Sequence, residues 1–305
     1  MVYRRTRKYL SNAHDVRACS GAQTCGGVFG TVVRESDCLV IGDVIVDVFV
    51  KSRGNSVPLL GGGTSYCNFA KIGFGGAGNV ASALSLLGGK ASFIGKAGDD
   101  LWGRLYQKDL STRGVTAKIF FEEEVSTGLA LIFIDGKGER SFYVFRGAND
   151  KLSTEEIDKS VSLLKNSKYL YFSGYSLVAN PQRDAILRAV KLAKKYDVGI
   201  IFDPGAHNLI RSNFQLFSDL LDACDIFCPN LEEAKAITRT KNLNTVINEL
   251  QKRETFTALK CGAKGCTLIE KKKHAKIPAF RVDCSDTTGA GDAFTAALIY
   301  GLVNN

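Results

Sequence analysis

The chain has 305 residues, 45% of them hydrophobic and 23% charged, enough to bury a full core as one large α/β domain. Its formal net charge of +9 raises the question of nucleic acid, but the basic residues are scattered and no nucleic-acid-binding motif accompanies them, so no such partner is expected. No apolar stretch approaches bilayer-spanning length, Asp47 interrupting the longest, and no membrane partner is expected either. The nine cysteines lack zinc-site spacing and read as reduced, mostly buried thiols of a cytoplasmic protein.

Residues 1–37 carry Arg4, Arg5, Arg7, Lys8 and Arg17 against Asp15 as the one acid before Glu35, with no periodic apolar pattern. They read as a basic, disordered extension, with an organellar transit peptide as the alternative. From Cys38 onward, strand and helix patterns alternate, which predicts an α/β fold with a doubly wound, mostly parallel sheet. Leu39–Asp47 reads as the first buried strand, and an acid within it, Asp47 before Asp43, needs a ligand or a structural donor. A helix over Gly78–Leu87, a strand over Ala91–Ile94 and a helix over Asp99–Thr112 follow. The stretches from about 48 to 74 and 118 to 146 are expected to form a smaller β-sheet, with Gly61-Gly62-Gly63-Thr64 as a hinge or tight turn and a hairpin at Asp135–Gly138. Ser153 and Glu156 have capping-box spacing. Strands at Tyr169–Phe172, Gly199–Phe202, Asp225–Phe227 and Thr257–Lys260 complete the sheet, and Lys271–Lys273 falls in a hairpin.

Near the C-terminus, Asp286-Thr287-Thr288-Gly289-Ala290-Gly291-Asp292 precedes the helical run Ala293–Tyr300. A Gly-Ala-Gly segment at a helix start aims uncovered N–H groups and the positive dipole end outward, which suits a phosphate. An acid there would repel a phosphate as a ligand, but fits a general base taking a proton from a hydroxyl while Gly289, Ala290 and Gly291 hold a migrating phosphoryl group. The plain alternative is a glycine-rich turn capped by a carboxylate.

Three further segments share an order with this one. They are Gly75-Gly76-Ala77-Gly78-Asn79 with Gly95–Asp100, Pro229-Asn230-Leu231-Glu232-Glu233, and Lys260-Cys261-Gly262-Ala263-Lys264-Gly265. Together they resemble the ribokinase-like (PfkB) carbohydrate kinase family, over about residues 38–305. The resemblance implies transfer of the γ-phosphoryl group of ATP to a hydroxyl of a small sugar of the fructose, ribose or 2-keto-3-deoxygluconate class. Nucleoside and heptose-phosphate kinases share the core and are the alternatives.

By the same resemblance, Asp292 is the base, and Asp47, Gly75, Gly76 and Asn79 meet the sugar. Arg140 or Arg146 reaches the substrate from the small sheet, which acts as a lid and in many members joins two subunits into a homodimer. Asn230, Lys260, Gly262 and Gly265 lie at the nucleotide, and Glu233 shares a helix face with Asn230 at Mg²⁺. A monovalent cation such as K⁺ commonly activates the family. Only thirteen residues follow Asp292, so a truncated C-terminus is expected, and a non-catalytic ligand-binding relative is the alternative it raises.

Overall fold

The computed structural model describes residues 34–52, 66–135, 140–283 and 287–304. In chain order the strands and α-helices are β1 (Ser36–Ile41), β2 (Val44–Ser52), β3 (Cys67–Gly76), α1 (Gly78–Leu86), β4 (Ala91–Gly98), α2 (Leu101–Thr112), β5 (Thr116–Glu122), β6 (Gly128–Ile134) and β7 (Arg140–Phe145). Then come α3 (Thr154–Asp158), α4 (Val161–Lys165), β8 (Ser167–Ser173), α5 (Gln182–Lys195), β9 (Gly199–Asp203), α6 (His207–Ser212), α7 (Phe214–Ala223) and β10 (Ile226–Phe227). The chain continues through α8 (Leu231–Thr238), α9 (Leu243–Leu250), β11 (Phe256–Lys260), β12 (Cys266–Glu270), β13 (Lys273–Ile277) and α10 (Ala290–Asn304).

Nine strands form one sheet in the order β13-β12-β11-β10-β9-β8-β1-β4-β5, parallel from β11 to β5, with β12 and β13 added antiparallel. Strands covered on both faces must be apolar throughout, and β4 and β9 are buried along their whole lengths. One face packs against α3 to α9 through a cluster that includes Phe172, Phe202, Phe217 and Phe227. Phe172 and Phe202 stack there at 5.0 Å between centroids, a geometry worth about 0.5–1.5 kcal/mol beyond burial. The opposite face receives α1, α2 and α10, and Ala296, Ile299 and Leu302 of α10 join the cluster that holds Val80, Ala81 and Leu84 of α1. This α1–α10 packing brings together two helix starts more than two hundred residues apart. No helix among the described residues is long and apolar enough to cross a membrane.

The four-stranded second sheet, β3-β2-β6-β7, is entered from the carboxyl end of β1, which leads into β2 through Gly42 and Asp43. Ile45, Ala130 and Ile132 form its own small buried apolar cluster, while Phe69, Ile72, Phe142, Tyr143, Val144 and Phe145 are exposed.

The structure corrects several expectations. The single strand read over Leu39–Asp47 is two strands in two sheets, because the chain turns at Gly42–Asp43. The pattern stays apolar through the break because both halves are buried there. Asp43 is buried in that turn, where its carboxylate accepts from Gln182 Nε2 (2.7 Å), Ser176 Oγ (3.2 Å) and both terminal nitrogens of Arg146 (3.0 and 3.3 Å). Thr116–Glu122, including the Phe120 piece read as lid, is the edge strand of the large sheet. The fold begins before Cys38: β1 starts at Ser36, and the Arg34 guanidinium donates to the carbonyls of Ser167 (3.0 Å) and Asp197 (2.6 Å). Gly75 and Gly76 end β3, directly before α1. The Ser153–Glu156 capping box forms, but on a helix of 5 residues. Gly61–Thr64, most of the hairpin at Asp135–Gly138, Asp286 and residues 1–33 lie outside the described residues; β6 and β7 pair antiparallel on either side of that hairpin.

Candidate active site

The carboxyl ends of β1, β9, β10 and β11 open on one side of the large sheet, where ligands collect in doubly wound folds. Asp47 lies in β2, opposite Gly73 of β3 and Ala130 of β6. Gly75 is what lets its carboxylate lie across β3: a Cβ there would sit 2.2 Å from Asp47 Oδ2. Gly76 takes a left-handed φ of 71°, which an L side chain rarely adopts, and packs against the Asp43 carbonyl. Burial, and then the charge of Asp292, push the Asp47 carboxyl up to about 6.

Asn79 lies just past the N-cap of α1. Ala77 occupies the N-cap of α1 without a side-chain bond, leaving Asn79 to project from the first turn. Its Nδ2 donates to Asp292 Oδ2 at 3.0 Å. Asp292 stands in the first turn of α10, after Gly289 with φ 76°. Ala290 N–H closes a turn on the Thr287 carbonyl at 3.2 Å, so one of the three N–H groups expected to cradle a phosphoryl group is already engaged. The N–H groups of Gly291 and Asp292 have no acceptor within the helix, by helix geometry. Burial pushes the Asp292 carboxyl up, the Asn79 bond pulls it back, and the charges of Asp203 and Lys260 act in opposite senses; the net shift is upward.

On the other side of the site, Asn230 caps α8. Its Oδ1 accepts from Glu233 N–H at 2.9 Å, while Glu233 accepts from Asn230 N–H (2.8 Å) and Nδ2 (2.6 Å). The pair read as converging on a metal therefore forms a capping box first, and each Glu233 oxygen already accepts one bond. Glu233 is buried; that burial, and then the charge of Asp203, push its carboxyl well up. Lys260 ends β11, where it bridges to Asn230, and its Nζ pairs with Asp203 Oδ2 at 2.6 Å. In the glycine loop that follows, Gly262 faces open space. Gly265 is required for packing, because its Cβ would lie 2.0 Å from the Ile277 carbonyl.

Arg146 and Asp43, each a candidate for the substrate side, bind each other and are withdrawn from it. Arg140, at the start of β7, donates from Nη1 to Thr288 Oγ1, so its bond goes to the loop before α10. The sequence reading missed Asp203. Its signal was present: an acid ending the apolar run Gly199–Phe202 and followed by Pro204-Gly205 needs a buried partner.

A family model described as pfkB family carbohydrate kinase matches residues 35–305. The chain is 31% identical over 245 residues to a protein named Fructokinase-1 from Zea mays, covering 78% of this chain and 76% of the relative. Its fold is similar to the crystal structure of adenosine kinase from Sinorhizobium meliloti, with a TM-score of 0.80 at 24% identity over 89% of this chain and 88% of the other. It is also similar to Arabidopsis thaliana ribokinase complexed with ribose and ATP, with a TM-score of 0.73 at 24% identity over 88% and 86% of the two chains.

Proposed function

This chain belongs to the pfkB family of carbohydrate kinases, and from that premise we propose that it transfers the γ-phosphoryl group of ATP to a hydroxyl of a small sugar, fructose first, with Asp292 as general base. The observation that carries the reading is the 3.0 Å bond from Asn79 to Asp292, which joins the glycine-rich segment after the small sheet to the start of α10. A hydroxyl held between Asp47 and Asn79 would meet Asp292, whose raised pKa makes it a better proton acceptor than an ordinary carboxylate. Attack of that oxygen on the γ-phosphorus forms the new P–O bond as the bond to the ADP oxygen breaks, and Asp292 takes the hydroxyl proton. The N–H groups of Gly291 and Asp292, at the positive end of α10, face the charge on the transferring group.

Asp47, Gly75, Gly76 and Asn79 form the sugar side of this reading, with Arg140 contributing through the loop at Thr288. Asn230, Lys260, Gly262 and Gly265 form the nucleotide side. Asp203, Glu233 and Asp292 gather around one ammonium, Lys260, so the cluster has room for a dication's charge. Glu233 would stand near Mg²⁺, with phosphates and water supplying most of its ligands. Bound Mg²⁺ would neutralise phosphate charge. A K⁺ requirement and a cytoplasmic location complete the reading. A homodimer through the lid is supported by the exposed apolar residues of β3 and β7.

Fructose is placed first because the Zea mays relative bears the name fructokinase. ADP release from Mg-ATP, with K⁺ or Na⁺, across fructose, ribose, 2-keto-3-deoxygluconate, adenosine and a heptose phosphate tests the proposal. Turnover on fructose supports it; turnover on adenosine alone, or on none, overturns it. Light scattering on the purified chain tests the dimer.

A further inference from the structure

We propose that Asp203 is a positioning residue for the transfer step, holding the Lys260 ammonium beside the first turn of α10 so that one cation faces both the incoming phosphates and Asp292. The inference rests on the phosphoryl-transfer reading of this site. Asp203 ends β9 and Lys260 ends β11, the strands on either side of the two-residue β10, so both side chains rise from the same edge of the sheet. They are 16% and 10% exposed, Lys260 first, and their 2.6 Å contact removes most of the freedom of a long lysine side chain. Asp203 also accepts from Gly205 N–H at 3.1 Å, which fixes its own orientation. The ammonium so placed lies 3.8 Å from where a Cβ on Gly291 would be, within reach of an anion seated on the α10 N-terminus.

A sheet tether has no need of that location, and an apolar pair would hold the strands as well. Among the described residues, the groups that act electrostatically on Asp292, or feel its charge, come from several elements. They are Asp203 after β9 and Lys260 after β11, Asp47 from β2, Tyr171 from β8 and Tyr175 in the turn after it, with the Asn79 amide from α1. Lys260 is the one cation in this set. Asp203 partly cancels it in the free enzyme, and phosphates arriving at α10 would share it.

The test uses the full chain and three variants, Asp203→Asn, Lys260→Met and the conservative Asp203→Glu, with fructose and Mg-ATP. Asp203→Asn leaves the ammonium uncompensated and should move the acid limb of kcat/KM to lower pH. Lys260→Met should move it to higher pH and weaken Mg-ATP binding by about tenfold or more, the loss of a charge-assisted contact. Asp203→Asn should lower kcat with the fructose KM little changed, and Asp203→Glu should recover part of it. Limbs that stay in place, or move in the same direction, with only thermal stability lost, would reduce the pair to a strand tether. Thermal melts of each variant identify any that fail to fold, and Asp203→Glu then carries the pH comparison. If the unaltered chain turns over no sugar, the functional reading fails by itself. Calorimetric Mg-ATP affinity then decides, since an unchanged Kd in Lys260→Met overturns the inference and a weakened one upholds the cation's place.

Discussion

The amide of Asn79 donates to the carboxylate of Asp292 at 3.0 Å across 213 residues of sequence. The bond exists because α10 packs on α1, and it ties the proposed base to the segment that ends the lid. Asp292→Asn is expected to lower kcat by about 10²–10⁴-fold, the usual worth of a general base, while calorimetry finds sugar and Mg-ATP binding retained. Full turnover in that variant would exclude Asp292 as the base.

Asn79→Ala removes a donor that favours the ionised form of Asp292. The carboxyl then holds its proton to higher pH, so the acid limb of kcat/KM should move upward by up to about one pH unit. A pH–rate series at fixed Mg-ATP measures this, and an unmoved limb would show that the amide does not engage Asp292 in the free enzyme.

Asp47 gives a test in stability. Its folded pKa is near 6 against an ordinary value of 3.8, so the folded state holds the proton more tightly than the unfolded chain. The stability this contributes is present below about pH 4, is lost as pH rises through 6, and stays lost above it. Asp47→Asn should therefore melt higher than the unaltered protein at pH 8 and match it at pH 4, while its sugar KM rises. Equal melting differences at both pH values would remove the burial argument for this carboxyl.

Gly75→Ala puts a methyl where Asp47 Oδ2 now lies. The carboxylate can swing away, so stability should change little while the sugar KM rises by about tenfold or more. Thermal melts and sugar saturation curves on one preparation check both halves.

Arg146→Ala leaves the buried Asp43 carboxylate with Gln182 and Ser176 but no cation. Breaking a buried pair in this way costs about 3–5 kcal/mol, a fall in Tm on the order of 10 °C for a domain of this size. A loss confined to the sugar KM, with the Tm unchanged, would instead return Arg146 to the substrate.

The parts of the site that were legible in the sequence are contiguous. Gly75–Asn79, Asn230–Glu233 and Gly289–Asp292 each lie at an element boundary, and local backbone rules announce them. The same local view did not show which bonds their side chains make. Asn230 and Glu233 were read as converging outward, yet at this spacing they satisfy each other's helix-start donors. Arg146 resembled any charged residue following an exposed strand until its partner, Asp43, was placed 103 positions away.

By itself, the sequence determined the alternation of strand and helix, the parallel sheet and the family motifs, because periodicity and turn chemistry act over a few residues. The tertiary structure alone decided that the apolar run Leu39–Asp47 divides between two sheets, since burial in either one selects the same residue types. It also decided that Asp203 meets Lys260 and that Asn79 meets Asp292. Those pairings depend on which strands lie side by side and which helices share a face, and the electrostatics of the site follow from them at distances of 2.6 and 3.0 Å that no local pattern encodes.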